Sequence, residues 1–369
     1  MYRIVSKLST AVLQRDKQAS SIFWRSFSHS SSSGNPFGIA FDIDGVLLRG
    51  DSTIGGSPQA LSKLYLPQGS LKVPYVFLTN GGGVRESKRA IELSKLFGVE
   101  VSSSQVLHGH SPFRQLAHRF ESDFVVAVGK GEPAAVLSEY GFKNVISIDD
   151  YALCFDNIDP LAPHKKWTLN ISEQSKGFPS AVLKEYVCSQ RVQAVFVVSD
   201  SVDWSRDVQN WRPSWRRNWN STSSILWAHD DLKYQGAFPT ERFGMGALRI
   251  SLQSVFNSIH PHPLQYSAVG KPNPLAFKNA ENTLQQLHNQ LTANQDLGGI
   301  SPFETLYMIG DNPSVDIKGA QQAGRPWFSI LTRTGVFRGK ENDLECPADM
   351  VVDTVEDAVD YILDKENVS

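Results

Sequence analysis

The sequence predicts an α/β protein: a mostly parallel sheet whose chain is interrupted by a second, inserted α/β domain. Three observations carry this expectation. From Phe37 onward, apolar stretches of strand length alternate with stretches of helical apolar spacing, the order that builds βα units. The alternation breaks at Ser102-Ser-Ser104, runs through a second set of such units, and resumes its first pattern near residue 266. Several apolar strands end in carboxylates, hydroxyls or amides, and ligands of open α/β sheets bind beyond the carboxyl ends of strands. Residues 35–101 and 266–369 are therefore assigned to a core domain, 102–265 to an insert and 1–34 to a separate leader.

The leader holds Arg3, Lys7, Arg15, Lys17 and Arg25 against one acid, Asp16, and ends in the run Ser30-Ser-Ser-Ser33. A basic, serine-rich, acid-poor stretch predicts a transit peptide. Leu8, Ala11, Val12 and Leu13 would form one apolar side of a short basic helix, and Arg25-Ser-Phe-Ser28 would suit processing nearby. The first destination is the mitochondrion, with plastid or cytoplasm as alternatives.

In the core, Phe37–Phe41 reads as a buried strand closing on Asp42 and Asp44, followed by Gly45. Gly56-Ser57-Pro58 opens a helix with a serine cap and a proline in its first turn. Val73–Leu78 is the next strand, and Gly81-Gly-Gly83 turns into a helix whose Ala90, Leu93, Leu96 and Phe97 recur at helical spacing. The insert is expected to hold a helix over Val106–Phe120, a strand Phe124–Val128, a helix Pro133–Tyr140 and a strand Ala194–Val198. Asn210–Ser224 has three Trp, three Arg and no period, which predicts an irregular segment. Arginine with tryptophan can mean nucleic-acid contact, but a formal charge of -2 supplies no basic field, and no nucleic-acid partner is expected. A helix over Phe243–Phe256 closes the insert. Val269-Gly-Lys-Pro-Asn-Pro274 then leads into a helix through Leu287, and Asn289–Ser301 reads as a polar loop. The strand Thr305–Ile309, a helix Ser314–Ala323, the strand Trp327–Leu331 and a helix Val355–Leu363 complete the chain.

A chain of 369 residues, 41% hydrophobic and 20% charged, has room for two domains. It contains no apolar run of about 18 residues, so no membrane span is expected. Cys154, Cys188 and Cys346 are far apart and read as reduced, mostly buried thiols. The pairs His108/His110 and His260/His262 lack a third ligand at zinc spacing and read as loop histidines.

Four strand-end motifs line up in chain order: Asp42-x-Asp44-Gly45-Val46, Thr79-Asn80, Lys271 within Gly-Lys-Pro, and Gly310-Asp311-Asn312-Pro313-x-x-Asp316. In this order they resemble the haloacid dehalogenase superfamily, from residue 37 to about residue 365. The large insert between the second and third motifs resembles the class IIA cap of NagD-like phosphatases, nearest to the eukaryotic subfamily that includes the cat-eye-syndrome critical-region hydrolase. The resemblance implies a Rossmann-like core, Mg²⁺ as cofactor and a small phosphorylated metabolite as substrate. By the same resemblance Asp42 is the nucleophile that forms an aspartyl phosphate. Asp42, the backbone carbonyl of Asp44, and Asp311 hold the metal. Asp44 is the general acid and base, Thr79 and the N–H groups around Asn80 and Gly81 bind the phosphoryl group, and Lys271 supplies fixed positive charge. Asp316 orients the loop or a metal-bound water.

The residue types suit that chemistry. A phosphate ester and a carboxylate nucleophile repel, so a cation must neutralise them, and hard oxygen ligands suit Mg²⁺. Carboxylate nucleophiles are a known route to phosphoenzymes. The two acids need different pKa values, one ionised and one able to hold a proton.

The insert would select the substrate by closing over the site. Asp200, Ser201, Asp203 and Trp204, with Arg206 nearby, occupy the expected place of the closing loop; the alternative is that these residues cap the next helix. After Gln209 the chain departs from the resemblance, which resumes near Leu226-Trp-Ala, and an alternative splice product or a gene-model error would produce this. The cap is expected to fray there while the core motifs stay intact. Two other readings stand beside phosphatase activity: an enzyme of glycerophospholipid metabolism, and a catalytically weak binding protein that keeps the fold. Self-association as a homo-oligomer is open.

Overall fold

The computed structural model describes residues 36–165, 181–210, 219–292 and 303–368. The expected leader, residues 211–218 of the Trp/Arg-rich stretch and most of the expected 289–301 loop lie outside the described residues. Everything described belongs to one compact unit, Asn35–Ser369.

Phe37–Phe41 is buried along its whole length, as a central strand must be when helices cover both faces of a parallel sheet. It pairs with Thr305–Gly310 on one side and Tyr75–Leu78 on the other. The full sheet runs Met350–Val352, Trp327–Thr332, Thr305–Gly310, Phe37–Phe41, Tyr75–Leu78, Val106–Leu107, with every pair parallel. Side chains alternate between its faces. Ile39 and Phe41 pack with Leu61, Leu93 and Ala358, whereas Ala40 packs with Phe277, Ala280 and Leu284 of the helix Pro274–Thr292. Each buried Ile, Leu or Phe among them contributes about 1.5–3 kcal/mol. Because the strands all point one way, the residues that follow them, Asp42, Thr79 and Asp311, emerge along one edge.

A second sheet, also fully parallel, runs Tyr266–Ala268, Trp219–Trp227, Val192–Val197, Phe124–Val128, Asn144–Ser147. It has its own apolar core. Phe196 sits at its centre, met edge-on by Phe113, Phe120 and Phe142 with ring centroids 5.0, 5.4 and 4.9 Å away.

Several expectations shift. Val106–Leu107, expected to open a helix of the insert, is the edge strand of the first sheet, followed by a 3₁₀ turn Ser111–Leu116 and a short helix Ala117–Phe120. Tyr266–Ala268, assigned to the core, pairs in the second sheet instead. Both boundaries move because pairing, not the serine run, decides which sheet a strand joins. Ser57 is not a cap: it is the first helical residue, and its hydroxyl donates to the Leu47 carbonyl at 2.9 Å. The helix expected over Ser314–Ala323 begins as a π-turn, Pro313–Ile317. The helix before the 289–301 stretch continues through Thr292. Of the cysteines only Cys154 is buried; Cys188 is exposed and Cys346 is half-buried.

The irregular segment 210–224 is partly regular. Asn210 ends the helix Trp204–Asn210, and the strand Trp219–Trp227 begins at the third tryptophan. Its pairing with Val192–Val197 is offset: Val192 faces Trp219, but Ala194 faces Ser224. From Val195 opposite Ile225 to Val197 opposite Trp227 the register is regular.

Candidate active site

The first acids follow a strand that ends in a tight turn. Asp42 receives the chain from Phe41 and donates its N–H to the Ile309 carbonyl at 2.9 Å, which continues the sheet one residue past the strand. Gly45 takes φ +91°, a region that side chains avoid, and a Cβ there would lie 2.4 Å from Asp311 Oδ2. Gly335 is tighter still: its Cβ would fall 1.8 Å from the same oxygen. Two glycines thus leave room for one carboxylate.

Lys271 is the centre of charge. It is 1% exposed, with Nζ 2.9 Å from Asp42 Oδ1 and 2.6 Å from Asp316 Oδ1. Burial works against its ammonium, but Asp316 and Asp42 outweigh burial and hold its pKa above the ordinary lysine value. Its backbone is fixed by Asn80, whose Oδ1 accepts the Lys271 N–H and whose Nδ2 donates to the Lys271 carbonyl, both at 2.9 Å.

Asp42, Asp311 and Asp316 can bring one oxygen each within 4.8 Å of the others, and among the described residues no other group of three potential ligands does so. Burial, with the charges of Asp42 and Asp316, pushes the Asp311 carboxyl well above its usual range. Asp316 is also raised by burial, against the pull of Lys271. Its oxygens are committed: Oδ2 accepts the N–H groups of Asp311 and Asn312, at 3.2 and 3.0 Å, and Oδ1 faces Lys271. Asp42 Oδ1 is on Lys271 and Asp311 Oδ2 accepts the Val336 N–H at 2.6 Å, so each keeps its other oxygen to turn to a cation, with Asp316 as their brace. A set of hard oxygen donors, more acidic than one lysine can balance, fits a divalent cation.

Asp44 keeps partial exposure at the cleft. Burial, then the charge of Asp42, raises its carboxyl from 3.8 to about 6. A carboxyl raised in the fold holds a proton that the unfolded chain releases, so the folded state is penalised as pH climbs. Metal-free protein should therefore lose stability between about pH 4 and pH 6, with Asp311 and Asp316 adding in the same direction. Melting in EDTA across that range checks this. Asp44→Asn should flatten the dependence, and an unchanged slope would dismiss Asp44 as a contributor.

Asp42, Asp44, Thr79, Lys271 and Asp311 line one cleft. The second domain also supplies lining, from Asp231, Tyr234 and Gln235. Sequence reading missed these three. Asp231 binds Asn80 Nδ2 through both carboxylate oxygens, at 2.8 and 3.0 Å. Gln235 Oε1 accepts from Arg338 at 2.5 Å, and Arg338 also donates to the Pro239 carbonyl. The lining segment follows the strand end Trp227-Ala228, where the Ala228 carbonyl accepts the Gly270 N–H at 2.6 Å, one residue before Lys271. The space left between the walls and open to a water-sized molecule is about 30 Å³, enough for a few waters at most.

Other expected site residues stand elsewhere. Asp203 is buried in the second domain, where Lys165 approaches it at 2.6 Å and its Oδ1 accepts the Arg206 N–H. Capping and a buried ion pair, not substrate, explain it. Asp200 faces Lys130 at 3.1 Å and does not line the cleft; the Lys130 charge in turn acts on Asp44. The amide of Asn80 is spent on Lys271 and Asp231. The Gly81 N–H, expected on the phosphoryl group, donates to Thr79 Oγ1 at 3.1 Å.

Comparison with known proteins agrees with this geometry. A profile described as haloacid dehalogenase-like hydrolase matches residues 39–143, and one described as HAD-hydrolase-like matches residues 268–358. The chain is 31% identical over 351 residues to a mitochondrial hydrolase of Saccharomyces cerevisiae, covering 89% of this chain and 95% of that one. It is also 31% identical over 360 residues to a cardiolipin synthase (CMP-forming)/mitochondrial hydrolase fusion protein of Schizosaccharomyces pombe, covering 93% of this chain but 56% of the fusion. Among solved structures, a glycerol phosphate phosphatase from Mycobacterium tuberculosis in complex with magnesium superposes with a TM-score of 0.52 at 17% identity, covering 86% of this chain and 75% of that one. The chain belongs to the haloacid dehalogenase-like hydrolases. Its fold is also that of a putative nagD protein, which superposes with a TM-score of 0.53 at 17% identity. The second sheet and its helices form the α/β cap inserted into the core.

Proposed function

We propose that the protein is a Mg²⁺-dependent phosphatase of a small phosphorylated metabolite, acting through an aspartyl phosphate on Asp42. The observation that carries this reading is the convergence of Asp42, Asp44, Thr79, Lys271 and Asp311 on one cleft, with Lys271 2.9 Å from Asp42. Asp42 and Asp311, with the Asp44 carbonyl, would hold Mg²⁺, which supplies charge neutralisation and polarises the phosphoryl oxygens. Asp42 attacks phosphorus while Lys271 balances its charge. Asp44, raised to about 6, gives its proton to the leaving oxygen and then takes one from the attacking water. Thr79 Oγ1, already accepting the Gly81 N–H, has its own O–H to donate to a phosphoryl oxygen. Asp231, Tyr234 and Gln235 close the cleft over the leaving group.

Hydrolysis of an aryl phosphate should require Mg²⁺ and cease in EDTA. Equal rates in both would sink the reading.

One observation favours a narrower substrate class. A relative carries this kind of hydrolase in one chain with a cardiolipin synthase, which supports a phosphomonoester of glycerophospholipid metabolism. In a panel of phosphate esters, preference for glycerol-based ones supports this reading, and indifference between them and sugar phosphates removes it. The names of both curated relatives and the basic, serine-rich residues 1–34 support a mitochondrial destination. A reporter carrying those residues that stays in the cytosol would end that proposal.

A further inference from the structure

The two histidines His108 and His110 are buried, 4% and 0% exposed, and lie against the back of the loop that carries Thr79. His108 Nδ1 is 2.7 Å from the Gly81 carbonyl oxygen. A carbonyl only accepts, so Nδ1 of His108 carries the proton. His110 stacks on His108, with ring centroids 4.8 Å apart, and its Nδ1 is 2.8 Å from the Tyr140 hydroxyl. Tyr140 spends its own proton on the Glu86 carboxylate, which the Ser111 hydroxyl also reaches. Nδ1 of His110 must therefore donate too. Burial lowers the pKa of both rings, which keeps them neutral. Both Nε2 atoms are then acceptors with no donor among the described residues, and the His110 ring also lies against the Val84 backbone. Orphaned buried acceptors are costly and rare, and a pair of them asks for a reason.

The reason lies in what the rings hold. His110 presses on Gly82, where a Cβ would sit 2.5 Å from its Cδ2. His108 fixes the Gly81 carbonyl. Gly81 donates its N–H to Thr79 Oγ1 and lies beside Asp44, whose Oδ2 would be 3.0 Å from a Cβ at Gly81. We propose that Glu86, Tyr140, His110 and His108 form a buried positioning relay that holds the 81–82 backbone, and through it aims the Thr79 hydroxyl at the phosphoryl group. The proposal rests on the phosphatase reading for what Thr79 touches, but not for the relay itself. None of these four residues contacts substrate; they are positioning residues.

The test has two arms. In the full chain, ¹⁵N NMR of the imidazoles should show both His108 and His110 as Nδ1–H tautomers, and an Nε2–H signal from either overturns the relay whatever the enzyme does. In the second arm, inorganic phosphate binding in Mg²⁺ and aryl phosphate kcat are measured for His108→Leu and His108→Asn. Asparagine places an amide N–H near the Nδ1 position; leucine offers none. His108→Leu should lower kcat by about 100-fold, the scale of a misplaced reacting geometry, and weaken phosphate binding. His108→Asn should recover most of both, with Mg²⁺ affinity alike in all three proteins. Loss of Mg²⁺ affinity in step with phosphate, or no rescue by asparagine in a variant that melts like the native chain, overturns the relay. Failure of the native chain to bind phosphate counts against the phosphatase reading, while the tautomers still decide the relay.

Discussion

Lys271→Met is expected to abolish turnover and to destabilise the protein by about 3–5 kcal/mol at pH 8 in the absence of metal, the usual result of removing one partner from a buried ion pair. The ammonium lies between Asp42 and Asp316 at 2.9 and 2.6 Å and is 1% exposed. Methionine fills its volume but leaves Asp42, Asp311 and Asp316 facing one another. Those carboxyls can only relieve their repulsion by taking up protons, and burial already favours the protonated form of Asp311 and Asp316. The defect should therefore shrink as pH falls from 8 toward 5.5, because the variant's folded state binds more protons than its unfolded state. Melting curves at both pH values, with and without Mg²⁺, measure this. A variant that melts like the native chain at pH 8 without metal would show that Lys271 does not hold the cluster together.

Asp42→Asn should move the two properties in opposite directions. Turnover is expected to fall by at least about 10³-fold, since loss of a reacting group leaves only binding and electrostatic catalysis. Stability in EDTA should hold or rise. The charge of Asp42 is among the causes that raise Asp44, Asp311 and Asp316, and Lys271 keeps Asp316 as a partner. A neutral amide thus removes repulsion without stranding a cation. Native-like turnover would exclude Asp42 as the nucleophile, and a marked fall in melting temperature would show that its negative charge is needed to balance the lysine.

The two variants bear on why the core site could be read from sequence. Asp42, Thr79 and Asp311 follow strand ends that one parallel sheet necessarily gathers, and Lys271 stands in Gly-Lys-Pro just after Tyr266–Ala268 of the second sheet. The cap residues offer no such signal. Asp231 and Gln235 reach the cleft from a hairpin whose strands, Lys233–Tyr234 and Arg242–Phe243, are two residues each, too short to leave a period. What seats them is tertiary: Asn80 on Asp231 and Arg338 on Gln235, across 151 and 103 residues of chain. Asp203 misled for the converse reason. A carboxylate just beyond a buried strand looked like a site residue, and nothing local announced that Lys165, 38 residues earlier, would claim it. The histidine pair read as ordinary loop residues because a stacked, tautomer-locked arrangement depends on Tyr140 and Glu86, neither of them adjacent in sequence.

The offset in the cap strand Trp219–Trp227 has its own consequence. Extra chain is absorbed between Trp219 and Ser224, at the end where the strand begins, whereas Ile225–Trp227 keeps step with its neighbour and delivers Ala228 to Gly270. Length can therefore vary upstream without moving the catalytic frame, as slack in a rope before a pulley leaves the load in place. Isoforms or engineered inserts differing in that stretch should diverge in surface and partners before they diverge in chemistry.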